Sequence, residues 1–390
     1  MKKRIWNGLF LGLASLAISA CSGASPLKSA YVTELNIFHS LDTVRIMQVT
    51  DIHWHAGTDT EKQTQYLKSL VEACDPDIVV STGDNFLGGN MHDIDTLISF
   101  FKGMTNSKGK KIYWTSTWGN HDRSGIYNPD YLSDLLQIES KHRVYDYSLE
   151  YESVGLYKDP KDDIHGRGNS LINLTDGEDV IWQLYCMDSN SDYWMGSYYA
   201  YDAIHEDEVN WFKEMADYSK QEAGEADYLP SLLFEHIPLY QVGYAYQEVK
   251  DGHLDKVTYS WGDVRESPNS EPFASAFGGY GVYVGYEDTG LFEAAKQRGV
   301  RAIFCGHDHV NDFYAEYDGV YVGYGQKTGD QLYSLPSICG AKVLTFIKIV
   351  PSMDASGMTS MSMSSTTKAI SKSTPSRRWP NENAQTPDDL

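Results

Sequence analysis

The chain has 390 residues, 41% hydrophobic and 13% aromatic, so it carries enough apolar surface for one large α/β domain or two ordinary ones. Its formal charge of −22 argues against a nucleic-acid backbone as the standing partner, because proteins that bind one usually concentrate basic residues in a patch and none is visible in the sequence. An anionic substrate would instead have to meet something locally positive, such as bound metal.

The N-terminus reads Met1-Lys2-Lys3-Arg4, then a mostly apolar stretch from Ile5 to Ala17, then Ile18-Ser19-Ala20-Cys21, the layout of an export signal over residues 1–21. The stretch is too short for a spanning helix, which wants about 20 apolar residues. With a cysteine directly after Ile18-Ser19-Ala20, it resembles a bacterial lipobox, which implies acylation of Cys21 and a membrane-anchored, cell-surface lipoprotein. The alternative is an ordinary secretory signal cut nearby, and either one gives an exported protein. Residues 22–35 are small and polar and read as a tether. Residues 36–350 form the folded domain, and 351–390, crowded with Ser, Thr, Met, Lys and Pro, read as a disordered tail.

Within the domain, short apolar runs alternate with longer amphipathic ones, the pattern of strands and crossover helices in an α/β protein. Thr43 to Thr50 reads as a strand, Thr60 to Cys74 as a helix with Tyr66, Leu67, Leu70 and Val71 on one face, and Asp77 to Thr82 as the next strand. A helix from Ile94 to Met104 and strands over Lys111 to Thr117, Val180 to Met187, Ser231 to Phe234 and Val300 to Phe304 follow. Tyr240 to Asp288, rich in Gly, Tyr and acidic residues, reads as loops bordering a site. Cys74, Cys186, Cys305 and Cys339 are widely spaced, so no disulfide framework is expected.

Five of the segments that follow these strands carry metal-type ligands: Asp51-Ile52-His53, Gly83-Asp84, Gly119-Asn120-His121-Asp122, Glu235-His236, and Gly306-His307-Asp308-His309. Ligands in layered α/β folds gather beyond the carboxyl ends of strands, where these groups lie. Any one of them alone is more often a turn, but five in succession ending in imidazole, carboxylate or carboxamide groups make a specific pattern. Mixed imidazole and oxygen donors suit Mn, Fe or Zn, whereas Ca prefers oxygen alone.

The order D-x-H, G-D, G-N-H-D, H and G-H-x-H resembles the calcineurin-like metallophosphoesterase superfamily over about Thr43 to Ile349. The wording Phe234-Glu235-His236-Ile237-Pro238-Leu239 and Cys305-Gly306-His307-Asp308-His309 is similar to its purple-acid-phosphatase-like branch. One departure stands out: the iron-ligating tyrosine of true purple acid phosphatases is replaced here by Leu87, and His53 supplies a ligand instead.

The resemblance implies a four-layer αββα sandwich and two divalent or trivalent ions. Asp51, His53, Asp84 and His309 would hold one ion, and Asp84, Asn120, His236 and His307 the other, with Asp84 shared. Two ions so placed clamp the attacking and leaving oxygens of an in-line displacement, and a hydroxide bridging them is the expected nucleophile. The resemblance also points His121 toward the leaving group as proton donor, oriented by Asp122.

The implied activity is hydrolysis of a small phosphate ester. Phosphodiester or nucleotide hydrolysis on the same centre, and a surface binding protein that no longer turns over, are the alternatives. His55 adds an imidazole near the centre, read as a supporting group, and Arg167 a candidate phosphate contact in a glycine-rich loop.

Overall fold

The computed structural model describes residues 31–54, 60–87, 91–123, 164–253, 255–265, 281–347 and 360–367. The export signal with Cys21, His55 and the start of the Arg167 loop lie outside the described residues.

In chain order the elements are β1 (Val32–Leu35), β2 (Thr43–Val49), α1 (Thr60–Cys74), β3 (Ile78–Thr82), α2 (Met91–Gly103) and β4 (Tyr113–Thr117). A single 3-10 turn (His121–Arg123) precedes β5 (Ser170–Asp176), β6 (Asp179–Cys186), β7 (Asp192–Met195), β8 (Tyr198–Tyr201) and α3 (Glu206–Ala223). The remainder is β9 (Ser231–Phe234), α4 (Tyr240–Asp251), β10 (Val257–Asp263), α5 (Leu291–Gln297), β11 (Val300–Cys305), β12 (Asp312–Tyr317), β13 (Val320–Tyr324), β14 (Gly340–Ile347) and β15 (Ser360–Thr367).

Two sheets carry the architecture. The larger runs β1-β5-β6-β9-β11-β13-β12-β10, the smaller β15-β14-β2-β3-β4, and β7 and β8 form a separate hairpin. The strands β2, β3 and β4 are parallel, as are β6, β9, β11 and β13, so their carboxyl ends point one way within each sheet.

Side-chain alternation sorts these strands into layers. On β9, Leu232 and Phe234 turn inward to join Ile46, Ile78, Val80, Leu344 and Phe346 of the smaller sheet, while Leu233 faces Phe212, Val242 and Phe292 of α3, α4 and α5. On the far side, Met47, Val49 and Val79 pack with Leu67, Leu70 and Val71 of α1 and Leu97 and Phe101 of α2. Helices, sheet, sheet and helices make the four-layer αββα sandwich expected of the sequence.

The interface between the sheets is apolar except near the strand ends. There Gln48 donates to Thr82 Oγ1 at 3.0 Å and to the Cys305 carbonyl at 3.1 Å, and buried Lys342 pairs with Asp312 at 3.4 Å. The Gln48–Cys305 bond and the Lys342–Asp312 pair cross from one sheet to the other and fix their registration just beneath the site.

Three sequence expectations need correction. The tether over 22–35 gives way at its end to β1, which pairs in parallel with β5 and buries Tyr31 and Leu35, an apolar anchor that composition alone hides. The disordered reading of 351–390 fails at 360–367, where β15 adds antiparallel to β14 because the unpaired edge of β14 offers it a ladder. The loop reading of 240–288 misses α4 and β10; α4 buries Val242 and Ala245 against the larger sheet, and β10 closes its edge against β12.

At the start of α3, Glu208 accepts from the His205 N–H at 2.8 Å, Asn190 Nδ2 at 2.9 Å and Asn169 Nδ2 at 3.1 Å. Burial, reinforced by Asp188, raises its carboxyl well above the usual range. The folded chain therefore keeps this proton to higher pH than the unfolded chain. Its contribution is fully present below about pH 4.3, the ordinary glutamate value, and is lost as pH rises through the elevated one. Glu208→Gln should flatten the decline of Tm above that pH, and wild-type and variant melts that run parallel across the pH series would refute this assignment.

Candidate metal centre

Backbone pairing carries on past the ends of β2 and β3 and so sets the first donors in place. Asp51 N–H donates to the Gly83 carbonyl at 3.0 Å, His53 N–H to the Asp84 carbonyl at 2.9 Å and Trp54 N–H to the Asn85 carbonyl at 2.8 Å. Asp51, His53, Asp84 and His307 adopt φ values of 53°, 48°, 50° and 79°, a left-handed conformation costly for any residue with a Cβ. Such strain concentrates where surrounding structure fixes a functional side chain.

Two glycines of the motifs are required by close approach. A Cβ on Gly119 would stand 2.2 Å from Asp84 Oδ1, and one on Gly306 would stand 2.0 Å from Thr50 Oγ1. No side chain fits at either place.

The donors converge in two groups. Asp51, His53, Asp84 and His309 offer one ligand atom each, all within 4.8 Å of one another. The second group brings His236 Nε2 to 3.2 Å from Asn120 Oδ1, and His307 Nδ1 to 3.0 Å from the same oxygen. Asp84 joins the groups, with Oδ2 3.5 Å from His53 Nε2 and Oδ1 3.4 Å from His236 Nε2. All seven residues singled out as ligands in the sequence thus meet in one place, with Asp84 between the two sets.

The donor atoms suit cations. His309 Nδ1 faces the Tyr333 carbonyl at 3.0 Å and His236 Nδ1 the Thr82 carbonyl at 2.8 Å, which places the ring protons there and turns both Nε2 lone pairs inward. His53 Nε2 lies 2.9 Å from the inward-facing His309 Nε2, close enough for the two rings to share one cation. Asp51 Oδ2 accepts from Thr50 Oγ1 and the His307 N–H, whereas buried Asp51 Oδ1 and Asp84 Oδ2 have no hydrogen-bond donor among the described residues. Buried carboxylate oxygens left this way call for a cation.

The electrostatics agree. Burial opposes ionisation of Asp84, but His236 and His121 outweigh it and hold the carboxyl well below the usual range. Burial, then Lys327, keeps His53 neutral, and burial, then His236, brings His307 down to about 3. Ionised carboxylates and neutral imidazoles are the protonation states that metal ligands need. His236 is the exception: burial disfavours its charge, yet Asp84 pushes it up to about 10.

A family model described as calcineurin-like phosphoesterase matches residues 44–311. The chain belongs to the calcineurin-like phosphoesterase family. Among relatives, this phosphoesterase-family chain is 26% identical over 358 residues to a protein of Arabidopsis thaliana named probable inactive purple acid phosphatase 29, covering 83% of this chain and 80% of that one. It is 24% identical over 292 residues to phosphatase DCR2 of Saccharomyces cerevisiae, covering 69% of this chain and 44% of the yeast protein. A solved dimetal phosphatase from Danio rerio is similar at 11% identity and a TM-score of 0.43, covering 78% of this chain and 95% of that one.

The remaining predicted residues sort by what they touch. His121 lines a cavity of about 330 Å³ over the centre together with Asp84, Asn120, His307 and His309, and its backbone N–H donates to Asp84 Oδ1 at 2.8 Å. Asp122 accepts from the Gly119 N–H and the Phe86 N–H, both at 2.9 Å, and from Asn85 Nδ2 at 3.2 Å. These bonds clip the Gly83 and Gly119 loops together, so Asp122 serves the placement of Asp84 and Asn120. Arg167 does not line the cavity; its backbone N–H is held by Asp188 Oδ2 at 2.6 Å.

Sequence reasoning missed Lys327, whose buried Nζ donates to the Asp51 carbonyl at 2.7 Å and braces the loop that carries Asp51 and His53. Its position just past the apolar strand Val320–Tyr324 was the available signal. Ser189 was missed too: its Oγ accepts from the Ile237 N–H at 2.8 Å and the His236 N–H at 3.3 Å, which steadies the turn bearing His236.

Proposed function

We propose that the chain hydrolyses phosphate esters with a pair of metal ions, one held by Asp51, His53, Asp84 and His309 and the other by Asp84, Asn120, His236 and His307. The observation that carries this reading is the Asp84 carboxylate, whose Oδ2 lies 3.5 Å from His53 Nε2 and whose Oδ1 lies 3.4 Å from His236 Nε2, one imidazole of each proposed set. When bound, such ions activate water near neutral pH and neutralise charge on the attacking and leaving oxygens.

The protein's own residues do the rest. Asp84 is anchored by the His121 N–H, and Asn120 by the loop that Asp122 clips, so the donors are held before substrate arrives. The His121 imidazole donates a proton to the departing oxygen. A carboxylate or thiolate nucleophile is not required, and the described cysteines are all buried away from the cavity. Mn, Fe and Zn all suit the mixed donors; Leu87, standing where purple enzymes place their iron-ligating tyrosine, favours a pair without a charge-transfer colour. The lipobox-like segment before Cys21 supports export and anchoring to a membrane.

A second reading has support in the relatives, since the Arabidopsis protein is named probable inactive: a binding protein that keeps the fold without turnover. Full-length protein reconstituted with Mn, Fe or Zn should bind two ions per chain and hydrolyse nitrophenyl phosphate or bis-nitrophenyl phosphate, the preferred ester separating monoesterase from diesterase. Two bound ions with no hydrolysis of any ester in a broad panel would establish the binding protein instead.

A further inference from the structure

We infer that the centre takes esters whose leaving group is a flat, uncharged ring on a single phosphate, seated against Tyr201, Leu332 and Tyr333; this rests on the phosphoesterase reading. The floor of the cavity is made by the candidate ligands and His121, and its walls by Tyr201, Tyr283, Leu332 and Tyr333.

Each wall residue is held from behind. The Tyr201 ring meets His307 edge to face at 4.2 Å and 86°, and its carbonyl accepts from the Tyr286 N–H at 2.9 Å. Tyr286 in turn stacks on Tyr193 of the same hairpin at 3.8 Å and 8°, which locks β7 and β8 against the cavity rim. On the other side, the Tyr333 ring stacks on His309 at 4.2 Å and 21° while its carbonyl fixes that imidazole. The two tyrosines therefore flank the centre, one over a ligand of each ion, and rings held rigidly in this way lose little entropy on accepting another ring.

Leu332 is the telling residue. It is 44% exposed and sits at φ 59°, a left-handed conformation that a branched side chain rarely takes. Its loop is pinned by the ion pair of Lys62 with Asp330 and by the Thr328 hydroxyl, which donates to the Gly340 carbonyl at 2.9 Å. Structure that holds an apolar side chain out toward solvent at a conformational cost, on the lip of a cavity, gives that side chain a partner from outside.

Charge narrows the class further. Among the described residues lining the cavity there is no Lys or Arg. A second phosphate on the leaving group would go unpaired against an already acidic molecule, so nucleoside di- and triphosphates are disfavoured.

The test uses the Mn-loaded full-length protein and two non-hydrolysable probes, phenylphosphonate and methylphosphonate, titrated by calorimetry, alongside kcat/KM for phenyl and methyl phosphate. Phenylphosphonate should bind about tenfold more tightly, the scale of one good aromatic contact with its apolar burial. Leu332→Gly, which relaxes the backbone as it removes the wall, and Tyr201→Leu should each cut the phenyl-to-methyl ratio several-fold in both binding and kcat/KM. Equal binding of the two probes to the wild type, or a ratio unmoved in both variants, overturns the subsite. Selective phenylphosphonate binding without hydrolysis of either ester would sustain the ring subsite and overturn the phosphoesterase reading.

Discussion

Asp84→Ala should abolish turnover of phosphate esters and lower the metal content below two ions per chain while the apo protein still folds. Each Asp84 oxygen faces a different donor set, so one truncation removes a ligand from both. Loss of a single preorganised electrostatic partner commonly costs about 10² to 10³ in rate, and a shared ligand should exceed that. Elemental analysis of the dialysed, metal-loaded variant gives the stoichiometry, and a nitrophenyl phosphate assay gives the rate. Far-UV circular dichroism separates this from unfolding. Retention of two ions with near wild-type turnover would remove Asp84 from the bridging position and with it the proposed mechanism.

Gly119→Ala should be nearly as damaging, by another route. The added methyl would lie 2.2 Å from Asp84 Oδ1 and 2.3 Å from the Asp84 backbone nitrogen, so either the Gly83 loop or the β4 end must move. Overpacking of this kind costs about 1 to 3 kcal/mol, and here the displaced atoms include the carboxylate shared by both donor sets. Chemical denaturation should therefore show a loss of stability together with a loss of metal. Gly103→Ala is the control: a Cβ there meets nothing within 4 Å, at the last residue of α2, and should be neutral or slightly stabilising. If the two substitutions behave alike, steric crowding at Gly119 is not the constraint it is taken to be.

These effects trace to residues that stood out in the sequence because chemistry and strand pattern coincide there. An apolar strand that ends in Asp, Asn or His marks both a layer of the core and a position at its mouth, so β2, β3, β4, β9 and β11 announced their ligands and their places together. Contacts made by uncharacteristic residues were harder to read. Lys327 looks like any loop lysine until β13 is seen to end beside Asp51. The strand β15 was hidden by a composition typical of disorder, although Ser360-Met361-Ser362-Met363-Ser364 alternates with the period of a strand. Val257, Tyr259 and Trp261 of β10 alternate as well, but along an edge strand that exposes most of its residues and so carries little burial signal. The shape of the cavity was beyond reach, since Tyr201, Tyr283 and Tyr333 are 3 of 28 tyrosines and only the loops that deliver them make them neighbours.

The two donor sets draw on both sheets: Asp51, His53, Asp84 and Asn120 follow strands of the smaller one, and His236, His307 and His309 follow strands of the larger. The His307 N–H meets the Asp51 carboxylate across 256 residues of chain. A growing polypeptide leaving the ribosome thus exposes its first four ligands long before the last three exist, and Asp84 has a cation site on neither side until β11 has docked. On the proposed two-ion reading, both donor sets close only at this late step, and a chain cut short before Gly306 would lack the His307 and His309 imidazoles.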